Sequence, residues 1–115
     1  LERRRVLEEH LITSAIYAKF HDETSWISGA DWASLIHELD QIYDLTNRLR
    51  LLSPNLSEIE LRICYLVKIH VKVTDMATIL CRSVSGVSSI RNRLYAKLTG
   101  ERGSTEKLDR IILDL

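Results

Sequence analysis

The sequence predicts an all-α fold, on three observations. Apolar residues recur three and four positions apart along most of the chain, serines suited to cap helices precede the apolar stripes at Ser28, Ser57, Ser83 and Ser104, and Gly29, Pro54 and Gly100 punctuate them. With 115 residues, 45% of them apolar, the chain is long enough for one core of ordinary size. Its start at Leu1 rather than Met leads us to expect a segment of a longer protein. Two parts are expected: a lead-in of two helices over residues 1–52, forming a platform or the end of a coiled coil, and a four-helix unit over residues 53–115.

Leu1 to about Phe20 reads as a helix with Leu7, Leu11, Ala15, Ile16 and Phe20 inward. Arg3, Arg4 and Arg5 lie close enough to Glu8 and Glu9 to pair with them, so the triplet reads as a solvated lead-in rather than a basic arm. His21 to Gly29 is a connection, with Trp26 expected to fold back on the core. Ser28 and Asp31 have capping-box spacing and open a long helix to about Leu51. Trp32, Leu35, Ile36, Leu39, Ile42, Tyr43 and Leu49 form its inward stripe, while Asp31, Glu38, Asp40 and Asp44 keep the other side acidic, a face that phosphate would repel. Pro54 ends it.

The strongest local signal follows. Ser57 and Glu60 form a second capping box, and Leu56 and Leu61 stand where a hydrophobic staple fixes the entry of the chain. Ile59, Ile63, Leu66 and Val67 give this helix its buried face, widened by Leu61 and Cys64, and the pattern breaks near His70 to Val73. A short helix over Asp75 to Leu80 turns Met76, Ala77 and Leu80 inward. After a turn at Cys81 to Ser83, Ser83 caps a helix of about residues 84–98 with Val87, Ile90, Leu94 and Leu98 inward. At about 100° per residue, Ser85, Ser89, Asn92 and Ala96 fall opposite that stripe, with Ser88 and Arg93 on its flanks. Beyond Gly100, Ser104 caps a last helix carrying Leu108, Ile111, Ile112 and Leu115.

The short, uncharged outer face of the 84–98 helix is the informative one. A solvated face has no need to be short, whereas a helix in a major groove must bring its backbone close to base edges. The pair of short helices joined by a tight turn thus reads as a helix-turn-helix. Ser85, Ser88, Ser89 and Asn92 are the candidate base readers, Asn92 through two hydrogen bonds to adenine. Lys72, Arg91, Arg93 and Lys97 are the candidate phosphate ligands. Formal net charge is zero, but it is unevenly spread. Residues 1–52 hold six Lys and Arg against nine Asp and Glu, residues 53–100 seven against three, and residues 101–115 three against four. The positive excess falls on the segment expected to meet phosphate.

These residues resemble a known family. Leu56, Ser57, Glu60 and Leu61, then Asp75, Met76, Ala77 and Leu80, then Ser83 and Val87, then Leu94, Tyr95, Lys97 and Leu98 are similar to the LuxR-type (GerE) helix-turn-helix output domain of bacterial transcription regulators. Pro54-Asn55-Leu56-Ser57, the Trp-bearing lead-in and Gly100 to Ser104 resemble most closely the DNA-binding segment of regulators linked to tetratricopeptide repeats. The resemblance implies double-stranded DNA as partner and a homodimer in the full-length protein; with no membrane span or signal peptide pattern in the segment, a cytoplasmic place is expected, with a membrane anchor upstream left open for the full-length protein. The resemblance puts the base readers on Ser88, Ser89 and Asn92. It also implies a dimer contact through the last helix, at Leu108, Ile111, Ile112 and Leu115; read from the residues alone, these serve the chain's own core equally well. Two positions depart from the family: His70 stands in place of Gly, and Lys72 in place of a Ser or Thr cap. The cap is therefore expected to be lost unless Thr74 serves instead, and the second helix to start late or fray.

Other classes find little footing. No paired acid and base, nucleophile elbow or phosphate loop is present, so no enzyme is expected. Cys64 and Cys81 read as free thiols. The four histidines lack metal-ligand spacing, so neither metal nor cofactor is expected. No apolar run approaches the ~20 residues that span a bilayer, and no membrane contact is expected of this segment. The alternative function is a protein-interaction module, docking on RNA polymerase as a sigma-like region does or merely dimerising, for which DNA binding would be weak and insensitive to Asn92.

Overall fold

A computed structural model describes all residues, Leu1–Leu115, as eight helices: α1 Glu2–Ile12, α2 Ala15–Phe20, α3 Gly29–Tyr43, α4 Leu45–Leu52, α5 Glu58–Lys68, α6 Val73–Ile79, α7 Val84–Thr99 and α8 Thr105–Leu113. The all-α class is as the sequence predicts.

The lead-in holds four helices rather than two, and local polar chemistry explains both breaks. Ser14 Oγ accepts from the Tyr17 amide at 3.2 Å and donates to the Leu11 carbonyl at 2.6 Å, closing α1 and capping α2. Leu11 and Phe20 are buried, but Ala15, expected inward, is exposed. The long helix expected to reach Leu51 stops at Asp44, which adopts φ +52. There Asp40 accepts from the Thr46 amide and hydroxyl at 2.8 and 2.9 Å, and Thr46 in turn meets the Tyr65 hydroxyl at 2.7 Å. Asp40 thus satisfies the first turn of α4 rather than facing water. Trp26 does not fold back on the core; it is 79% exposed.

One hydrophobic cluster runs through the whole chain, from Leu11 and Phe20 through Trp32, Leu35, Leu39, Leu45 and Leu49 to the residues of α5 to α8. α5 is its axis. Leu61, Ile63, Cys64, Tyr65, Leu66, Val67 and Lys68 are all buried, so this helix is covered nearly all round by α3, α7 and α8. Its capping box is present on Ser57 and Glu60.

The ends of α5 and α6 follow one pattern. After α5, His70 takes φ +62, its amide donates to Val67 and the Val71 amide to Leu66. After α6, Cys81 takes φ +55, its amide donates to Thr78 and the Arg82 amide to Ala77. Each is a Schellman ending, with a non-glycine residue where glycine is favoured. Contrary to the expected late start, α6 begins at Val73 with Lys72 as its N-cap residue and no side-chain cap bond. Thr74 lies inside the helix and does not cap it. Beyond α7, Gly103 lies against the Tyr95 ring, and a Cβ there would stand 2.0 Å from Cε2.

Buried charge ties α8 to the rest. Lys68, buried, lies 4.1 Å above the Tyr43 ring and donates to the carbonyls of Leu113 at 2.9 Å and Ile112 at 3.4 Å. Arg48 donates to the Leu115 carbonyl. Both cations serve carbonyls at the C-terminal end of α8, of which the Ile112 oxygen also accepts from the Leu115 amide. Burial, then the nearby Arg4, lowers the Lys68 pKa from its ordinary 10.5.

Candidate nucleic-acid interface

α7 carries the candidate face. Ser83 caps it, accepting from the Gly86 amide at 3.0 Å, and Gly100 ends it at φ +76. Val87, Ile90 and Leu94 are buried and Leu98 half-buried, which anchors the inward stripe. Ser85, Ser89 and Asn92 are exposed on the opposite side and Ser88 is half-buried at its edge. The base-reading candidates therefore share one accessible face, and none of them carries a charge.

The phosphate candidates divide. Arg93 is exposed and Lys72 is exposed, and neither has an ion-pair or side-chain hydrogen-bond partner. Arg91 does not belong with them. The residue is 4% exposed, its guanidinium is paired with Asp109 of α8, and its Nε has no partner. Two residues of helix rotate Arg91 by about 200° from Arg93, onto the flank that α8 covers. Lys97 is committed too, its ammonium donating to Glu60 at 2.8 Å and to the Asn55 carbonyl at 2.6 Å. Burial raises the Glu60 carboxyl, but the Lys97 ammonium and the Ser57 amide outweigh it and hold the pKa below its ordinary 4.5.

Sequence reasoning missed Arg82. It lies in the turn before α7, exposed and without an ion-pair partner. Of the seven cations in residues 53–100, Arg62 pairs with Glu58, Lys68 and Arg91 are buried, and Lys97 holds Glu60. Lys72, Arg82 and Arg93 are those left unpaired. The signal for Arg82 was in the sequence, since it stands directly before the Ser83 cap.

The dimer candidates also move. Leu108 and Ile112 are fully buried in the chain's own core, and Ile111 and Leu115 are half-buried and packed on it. Of the two readings the sequence left open, these side chains serve the chain's own core, Leu108 and Ile112 within it and Ile111 and Leu115 at its edge.

A second feature is a groove of about 680 Å³ lined by Trp26, Trp32, Ile59, Arg62, Cys81 and Arg82 among others. Within this lining, Arg62 lies 4.7 Å over the Trp32 ring. No three of the His, Cys, Asp and Glu residues converge as metal ligands would, and no helix is long and apolar enough to cross a membrane. No protein-family model, curated protein or solved structure matches the chain.

Proposed function

We propose that this chain binds double-stranded DNA as the output unit of a transcription regulator, with α6 and α7 acting as a helix-turn-helix and α7 entering the major groove. The observation that carries the reading is the exposed, uncharged face of Ser85, Ser89 and Asn92, bordered by the unpaired cations Lys72 and Arg93. Short side chains let the helix backbone approach base edges, and flanking cations meet the strands on either side of the groove. Asn92 reads adenine through two hydrogen bonds, Ser88 and Ser89 contact neighbouring bases, and Ser85 meets a base or phosphate near the entry of α7. A homodimer in the full-length protein stays within the proposal, through surfaces other than the buried side of α8.

The test begins with selection from random duplexes, followed by anisotropy on the selected sequence. Asn92→Ala is expected to weaken binding by ~1–3 kcal/mol and to relax preference at one base position. An unaltered preference would remove Asn92 from the reading set, and selection that enriches nothing would end the DNA reading. The second reading, a protein-docking module with RNA polymerase or another protein as partner, is favoured by the exposure of Trp26 beside the 680 Å³ groove.

A further inference from the structure

Resting on the DNA reading above, we propose that Arg82 and Arg93 together form a seat for one backbone phosphate of the duplex, on the flank of α7 opposite Lys72. Both arginines line a single groove of about 560 Å³, with Ser57, Ile59 and Glu60 of the α5 entry and Ile90 and Lys97 of α7. The carboxylate in this groove, Glu60, is already met by the Lys97 ammonium and the Ser57 amide. Neither arginine has an ion-pair partner, so both bring uncompensated charge to the groove they share. A phosphodiester supplies the missing anion, and a guanidinium fork fits its oxygens two at a time.

The backbone of Arg82 is held for this. Its amide donates to Ala77 at 2.9 Å in the Schellman ending of α6, so the side chain leaves from a fixed point beside the first turn of α7. Placement around α7 agrees. At about 100° per residue, Arg93 lies on the α5 flank of the Ser85, Ser89 and Asn92 face, and Arg91 on the α8 flank. Lys72 lines a pocket with Arg91 and Asp109 and so belongs to the α8 flank. The reading face therefore runs between two cation sites, as a helix in a groove runs between two phosphate strands. Arg82 and Arg93 take one strand and Lys72 the other.

The experiment is anisotropy of a random-sequence duplex across a salt series, using the whole chain, with Arg82→Gln, Arg93→Gln, the double variant and Arg50→Gln as an exposed control. Circular dichroism and thermal melting check that each remains folded. Arg82→Gln is expected to weaken binding about fivefold to tenfold at low salt and to lower the slope of log K against log salt by about 0.9, the value for one phosphate. Because the seat is shared, the double variant should lower the slope by about 0.9 as well, not by about 1.8. A double effect near 1.8 would mean separate phosphates and overturn the shared seat. If Arg82→Gln bound as wild type while Arg93→Gln weakened, the seat would fall and the DNA reading would stand. An equal loss in Arg50→Gln would reduce the effect to net charge and also overturn it. A wild-type chain inert at low salt would remove the DNA reading itself.

Discussion

Arg91 and Arg93 are two residues apart on one helix, yet they serve opposite purposes. Arg91 lies under α8, 4% exposed and paired with Asp109, while Arg93 faces outward without a partner. By residue type and spacing both qualify as phosphate ligands. What separates them is which neighbour covers each flank of α7, and α8 comes from a part of the chain whose docking no local pattern reveals. A positive count in a segment is therefore an upper limit on the charge it can offer a ligand. Here seven cations reduce to Lys72, Arg82 and Arg93 once internal pairing is recognised.

The largest expected effect puts that contrast under strain. Asp109→Ala leaves the Arg91 charge buried without its partner, and a fully buried pair broken in this way costs 3–5 kcal/mol. Asp109 is 38% exposed, so solvent takes up part of the loss. We expect a decrease of about 2 kcal/mol in urea unfolding at pH 7. Arg93→Gln should change stability by less than about 0.5 kcal/mol. Equal effects from the two variants would break the comparison. Replacing both members of the pair, as Arg91→Met with Asp109→Leu, should recover most of the loss, because the buried charge is gone along with its partner.

Lys97 sharpens the same contrast, since it lies near Arg93 on α7 but holds Glu60. We expect Lys97→Met to cost about 1 kcal/mol at neutral pH. The pH dependence carries the sign. Because the folded carboxyl titrates below its ordinary 4.5, the stabilisation it brings is complete above that value and disappears as pH falls through the lower folded value. Asp22, held down by the Thr24 amide, and Asp31, held down by Lys19, act in the same direction. Unfolding followed from pH 7 to pH 2 should show stability falling below about 4.5, less steeply in Lys97→Met than in wild type. Parallel profiles would mean that the pair contributes nothing.

How much was legible follows from the range of each signal. The α5 capping box, the Ser83 and Ser104 caps and the inward stripe of α7 depend on residues three or four apart, and the structure has them where the sequence puts them. The break at Asp44 was not legible, because it needs Asp40 to prefer the Thr46 amide and hydroxyl over water, and Tyr65 to meet the same hydroxyl from α5. Trp26 was assigned to the core from its apolar character alone, yet it stands exposed. His21 shows the limit most plainly. Its ring nitrogens lie 2.8 Å from the carbonyl oxygens of Tyr17 and Ile69, the second 48 residues away, a bridge that no spacing announces. On the candidate face, short range sufficed for Ser85, Ser89 and Asn92 and failed for Arg91, whose partner is on another helix.

The two cysteines give the smallest expected effect and a last comparison of a covered flank with an open one. Cys64 is fully buried on α5, and burial, then the charge of Glu60, pushes its thiol up to about 12, so it resists modification in the folded chain. Cys81 is exposed in the Schellman ending, at φ +55. A thiol titration of the native protein should show one fast group, and Cys81→Ala should abolish it without altering α6. Cys81→Gly should raise stability by about 0.5 kcal/mol, since relief of the left-handed conformation is partly offset by the greater freedom glycine gives the unfolded chain. Cys81→Ala keeps a Cβ at the same φ and should show no such gain. If alanine stabilised as much as glycine, the benefit would come from removing the thiol, and the left-handed turn between α6 and α7 would cost the fold nothing.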